Sequence, residues 1–121
     1  MTALIKELEA IQQIAPGSKS LVFTSWPRFL NLISDALAAR GIKFAKMLGS
    51  SDHRTKQANM FKSDDNCHVL LILAAHVSGA AGLNLTCATT AFLMEPNIDK
   101  SIEDQAAGRI YRIGALNHVF T

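Results

Sequence analysis

The sequence predicts an α/β domain of three layers, a mainly parallel sheet with helices on both faces. Three observations carry that prediction. Short apolar runs of strand type alternate with segments of helical periodicity along the chain. One run, Val69 to Leu73, has no polar alternation, as expected of a strand covered on both faces. The chain of 121 residues, 49% hydrophobic and 18% charged, suffices for one compact domain and is too short for two.

Each element follows from local chemistry. Leu4, Ile5, Leu8 and Ile11 recur at helical spacing, so Thr2 to about Ile14 is a helix, ended by Pro16-Gly17-Ser18. Leu21 to Phe23 is a strand. Pro27 stands where a helix starts, Phe29, Leu30, Ile33 and Leu37 share one face of it, and Gly41 ends it. Ile42 to Leu48 is the next strand. Gly49-Ser-Ser-Asp52 makes a turn and a cap, and His53 to Lys62 is helical with Ala58 and Phe61 inward. Asp64 to Asn66 is a surface loop. Thr89 to Glu95 forms another strand, broken by Pro96-Asn97, and a helix follows from about Ser101. Val119-Phe120 begins a last strand.

The last helix carries the functional argument. Ser101 to Asp104 fits a capping box with Asp in place of the usual Glu. Ile102, Ala106, Ile110 and Ile113 fall on one stripe of a helix running on through Arg112. Gln105, Arg109 and Arg112, spaced by four and three, fall on a second. One helix thereby anchors itself and aligns an amide with two guanidiniums, planar and permanently charged donors suited to a phosphate.

The tract Gln105-Ala-Ala-Gly-Arg109-Ile-Tyr-Arg112 resembles motif VI of superfamily-two helicases, QxxGRxxR, and its continuation Ile113-Gly114 resembles the Swi/Snf-related ATPases, which read RIHRIGQ there. Tyr111 and Ala115 depart from that pattern. Ser78-Gly-Ala-Ala-Gly82-Leu-Asn-Leu-Thr86 is similar to motif V, GGxGLNL, and Lys19-Ser-Leu-Val-Phe-Thr-Ser25-Trp26 to motif IV, KVLVFSQW. Gly49 to Arg54 is similar to the family's turn with a helical arginine, and Glu95-Pro96 followed by Glu103 to Gln105 to its approach to motif VI. Asn97 to Lys100 departs from the usual Trp-Trp-Asn-Pro. Within the family, Gly108 and Glu95-Pro96 look more like the large motors that carry a RING-finger ubiquitin ligase insert.

The resemblance implies the second RecA-like lobe of a two-lobed motor, residues 1–121 being one helicase C-terminal domain and a fragment of a larger protein. It implies that Arg109 and Arg112 are arginine fingers for ATP held by the first lobe. Gln105, Gly79 and Gly82 would couple the ATP site to the lobe interface, the glycines by letting backbone N–H groups approach phosphate. Ser25, Ser78, Asn84 and Thr86 would contact the nucleic-acid backbone. Partners would be the N-terminal lobe of the same protein and DNA, double-stranded by analogy, with an isolated monomeric fragment and a location that is nuclear in a eukaryote and otherwise cytoplasmic. ATP and Mg2+ would act in the complete motor, Mg2+ being held by the other lobe. The sequence contains no GxxxxGK[ST] and no DEAH-like box, so the isolated chain is expected to bind neither and to be inactive. The alternative is a non-enzymatic nucleic-acid or protein interaction module that keeps the lobe fold.

Other classes find less support. No GxGxxG opens the chain, no GxSxG is present, and His53, His68, His76 and His118 form no spaced ligand set, so no metal site is expected. Cys67 and Cys87 form no CxxC and read as reduced, part-buried thiols. The simplest role for Trp26 is a packed indole, and Arg54 reads as structural or phosphate-facing. A net charge of +2 neither demands nor excludes nucleic acid, and no apolar stretch reaches membrane-span length.

Overall fold

A computed structural model describes residues 2–73, 88–94, 110–113 and 118–120. The described elements are α1 (Thr2–Ile14), β1 (Lys19–Thr24), α2 (Pro27–Ala39), β2 (Phe44–Met47), α3 (Ser51–Ser63), β3 (Val69–Leu73), β4 (Ala88–Leu93), β5 (Ile110–Ile113) and β6 (His118–Phe120). They build one six-stranded sheet in the order β2-β3-β1-β4-β5-β6. β2, β3, β1, β4 and β5 run parallel, and β6 returns antiparallel to β5.

The strand period of two sorts the core into two halves. Val22, Val69, Leu71, Leu73 and Phe92 pack with Leu4, Ile5 and Leu8 of α1 and with Leu30, Ile33 and Leu37 of α2. Their neighbours Leu21, Phe23, Leu70, Ile72, Ala91 and Leu93 pack with Ala58 and Phe61 of α3. α1 and α2 therefore cover one face and α3 the other. Handedness explains the split: β1 to β2 runs one way across the sheet, β2 to β3 runs back, and right-handed crossovers in opposite directions fall on opposite faces. The residues of β1 and β3 are all buried. A fully buried leucine or phenylalanine contributes about 1.5–3 kcal/mol, so these two strands anchor the fold.

The turns are set by specific residues. α2 ends in a Schellman motif: Gly41 N–H donates to Ala38 O and Ile42 N–H to Leu37 O, at 3.1 and 3.0 Å. Gly41 takes φ +71°, which favours glycine there. α3 starts where the Ser50 hydroxyl accepts the His53 N–H at 3.1 Å. After α1, the Gln12 amide clamps the turn, donating to Ser18 O at 2.7 Å and accepting from Gly17 N–H at 3.0 Å. The edge strand β2 is blunted where the Lys46 N–H donates to the Gln57 side chain at 3.1 Å.

Two expectations need correction. The helix expected from about Ser101 through Arg112 does not extend over its last residues: Ile110–Ile113 form β5 in register with β4, Ala91 opposite Ile110 and Leu93 opposite Arg112. Ile110, Tyr111 and Ile113 are β-branched or aromatic and suit a strand, and four residues are too few for the helical period to exclude one. The shared stripes that paired Ile102 with Ile113, and Arg109 with Arg112, are lost with it. Gln105 and Arg109 themselves lie outside the described residues. Trp26, read as a packed indole, is 62% exposed. It stands past the end of β1, at the N-cap of α2.

Candidate functional site

In an open parallel sheet, ligands bind outside the carboxyl ends of the strands where the strand order reverses. From β1 the chain turns towards β2, and from β3 it must reach β4 on the other side of β1. The carboxyl ends of β1 and β3 thus bound a switch point, at the exit of Thr24, Ser25 and Trp26 and of Leu73.

Several of the residues singled out in the sequence converge on this edge. Ser25 follows β1 directly and is exposed. Thr24, fully buried, braces the exit: its hydroxyl accepts the Trp26 N–H at 3.3 Å. Gly49, Ser50 and Arg54 follow β2. Gly49 takes φ +87°, and the Arg54 guanidinium donates to Gly49 O at 2.8 Å. Arg54 thus closes its own turn, as its structural reading required, and a guanidinium has five N–H donors in all. The chain also leaves β3 after Leu73 and β4 after Leu93 at this edge. Arg112 reaches it by register: it is the penultimate residue of β5, opposite the last residue of β4. Gly79, Gly82, Ser78, Asn84 and Thr86 lie outside the described residues, as do Gln105 and Arg109.

The opposite, amino edge has its own chemistry. Lys43 and Asp64 form an ion pair. The hydrogen bond and charge of Lys43 hold the Asp64 carboxyl below its ordinary range, and Asp64 in turn raises the Lys43 ammonium. Burial pushes the Cys67 thiol up, and its Sγ lies 3.8 Å from Val69 O. A groove of about 560 Å³ opens here, lined by Leu8, Gln12, Lys43, His68 and Val69 among others. Its position at the amino ends of parallel strands sets it apart from the switch point. Among the described residues, no three His, Cys, Asp or Glu side chains are grouped to hold a metal ion, and no helix is long and apolar enough to cross a membrane.

Sequence reasoning missed Lys19. Its side chain is buried at the first position of β1. The ammonium donates to Phe61 O and, at 2.8 Å, to Asp64 O, and lies 5.0 Å from the centre of the Phe61 ring. It neutralises the carboxyl end of α3. A lysine two residues ahead of the apolar run Leu21–Phe23 was the available signal.

The sheet order, the two-sided helical cover and the polar turns gathered on one carboxyl edge define a RecA-like lobe. The helicase conserved C-terminal domain family matches residues 1–114, and the chain belongs to that family. It is 33% identical over 119 residues to DNA repair protein RAD5A of Arabidopsis thaliana, covering 98% of this chain and 11% of that protein. It is 32% identical over 126 residues to DNA repair protein RAD5 of Saccharomyces cerevisiae, covering 98% and 11%. The chain thus spans about a tenth of the length of these curated relatives. A crystal structure of the C-terminal part of the Fun30 ATPase domain shares the fold, with TM-score 0.72 and 21% identity, over 93% of this chain and 38% of that one.

Proposed function

We propose that the chain is the second motor lobe of an ATP-dependent DNA translocase of the chromatin-remodelling type, completing an ATPase site whose other half is a first lobe of the same protein. The observation that carries this reading is the family match over residues 1–114 together with a sheet whose carboxyl edge collects Ser25, the Gly49–Arg54 turn and Arg112. DNA-repair relatives support a nuclear setting and DNA as the partner.

In this mechanism Arg109 and Arg112 place permanent charge at the developing charge of the phosphoryl group. Gln105, Gly79 and Gly82 link that site to the lobe interface. Ser25, Ser78, Asn84 and Thr86 hold the nucleic-acid backbone and position the lobe without reading bases. ATP and Mg2+ supply the energy and the metal when the first lobe holds them. This chain's part is to close on that lobe, a domain motion gated by nucleotide. The ubiquitin ligase insert belongs to this proposal only as a subgroup reading, resting on Gly108 and Glu95-Pro96.

One observation favours a second reading. Arg112 lies in a strand, so a helix does not align it with Arg109, and a non-enzymatic interaction module would tolerate that. Hydrolysis and binding by the isolated chain test the proposal. The chain is expected to hydrolyse no ATP and to bind DNA weakly, with affinity falling as salt rises. ATP hydrolysis that scales with chain concentration through repurification refutes the two-lobe reading, and salt-independent, sequence-specific binding refutes the backbone contacts.

A further inference from the structure

β2 stands at one end of the described sheet and pairs there with β3. In a strand paired on one side, alternate residues turn both backbone groups outward, a template on which another chain can add a strand. Lys46 is such a residue, and both of its outward groups are taken up from within the chain. Its N–H donates to the Gln57 side-chain oxygen at 3.1 Å. Its C=O accepts the Leu48 N–H, also at 3.1 Å.

Gln57 is held in place for this contact. Ala58 and Phe61, both fully buried on the sheet, fix the rotation of α3 about its axis. Gln57 precedes Ala58 and is half-buried, so its amide lies on the flank of α3 that borders β2. Apart from its short length, β2 has few other protections. Its sequence Phe-Ala-Lys-Met holds no proline, and its register with β3 runs without a bulge. A lysine on an edge strand ordinarily deters pairing by its charge. The Lys46 ammonium is instead drawn onto α2, donating to Asn31 Oδ1 at 3.1 Å and to Ser34 Oγ at 3.4 Å. The charge therefore lies over the face that α2 covers and not outward from the edge.

We propose that Gln57 is a guard on the edge of β2: by occupying the Lys46 N–H it keeps a second copy of this chain from adding its own β2 alongside. The second copy is the occupant excluded because an edge strand is its own complement. Two β2 strands related by a twofold axis run antiparallel, and each supplies the carbonyl that the other's freed N–H requires. Every molecule in solution carries that same edge, so removal of the guard needs no other partner to reveal it. The guard is independent of the motor reading.

The test places Gln57→Ala and Gln57→Glu in this chain, read by light scattering over a range of concentrations, far-UV circular dichroism and amide hydrogen exchange. Wild type and Gln57→Glu, which keeps an acceptor oxygen at the same reach, stay monomeric. Gln57→Ala forms reversible dimers with its helical signal unchanged. In dilute solution its Lys46 amide exchanges roughly fivefold or more faster than in wild type, the effect of losing one hydrogen bond, and the exchange slows again as dimers form. Should Gln57→Ala fail to fold, Gln57→Asn, whose amide is one methylene too short, carries the same prediction. A folded Gln57→Ala chain that stays monomeric at every concentration overturns the proposal. So do dimers in which the Lys46 amide remains fast, because the copies then meet elsewhere, and association of wild type or Gln57→Glu equal to that of Gln57→Ala. Aggregation with loss of the helical signal in both the Ala and the Asn variants overturns it as well, since Gln57 then holds the fold and not the edge.

Discussion

Replacing Lys19 by methionine tests how the amino edge holds α3, the helix that presents the Gly49–Arg54 turn. Methionine keeps the apolar stem and removes the ammonium. Two carbonyls, Phe61 O and Asp64 O, then lose a charged donor, and the carboxyl end of α3 loses its neutralising charge. A hydrogen bond to a charged group is worth about 1.5–3 kcal/mol and the helix-end charge about 0.3–2 kcal/mol in a partly buried site. The contributions overlap, because one group makes them all, so the expected loss is about 3 kcal/mol. In a domain of this size each kcal/mol moves the melting temperature by about 3–5 °C, which gives a drop of about 10–15 °C by circular dichroism. Lys19→Arg should recover part of it. A Lys19→Met variant that melts within about 3 °C of wild type would refute the reasoning, since the buried ammonium would then contribute no more than its stem.

Two further predictions use other features of the same elements. Ser50→Ala removes the cap of α3 and should cost about 1 kcal/mol in urea unfolding, whereas Ser50→Asp should cost little. Asp64 has a depressed carboxyl pKa in the folded protein, so its stabilising contribution is fully present above the ordinary carboxylate value of about 3.9 and is lost as pH falls through the lower folded value. The melting-temperature gap between wild type and Asp64→Asn should therefore hold steady at neutral pH and close in acid. A gap that widens in acid has the wrong sign and would reject the Lys43 pairing.

Much of this fold is legible from single residues. Val69–Leu73 reads as a doubly covered strand because it has no polar position at all, and the structure places it second from the edge with helices on both faces. α1 and α2 follow from apolar spacing and from Pro27 and Gly41, whose backbone chemistry leaves few alternatives. The strand over Ile110–Ile113 was not legible. Ile110-Tyr-Arg-Ile113 satisfies both periods over so short a span, and pairing with β4 decides it. Trp26 was misjudged, and Lys19 missed, for the opposite reason. Both lie in a strand-like tract, but their burial depends on which helix covers which end of β1, a tertiary fact that local pattern does not contain. The candidate edge was legible as motif order, because parallel strands deliver every second loop to the same side.

The composite site itself is tested most directly by steady-state ATP turnover of the complete protein carrying Arg109→Ala or Arg112→Ala, with DNA present. Arg112→Ala is expected to lower turnover by on the order of 10³ or more, and Arg109→Ala similarly, with the folded state intact by melting. Turnover unchanged in Arg112→Ala would contradict the claim that this lobe supplies the charge that completes the site.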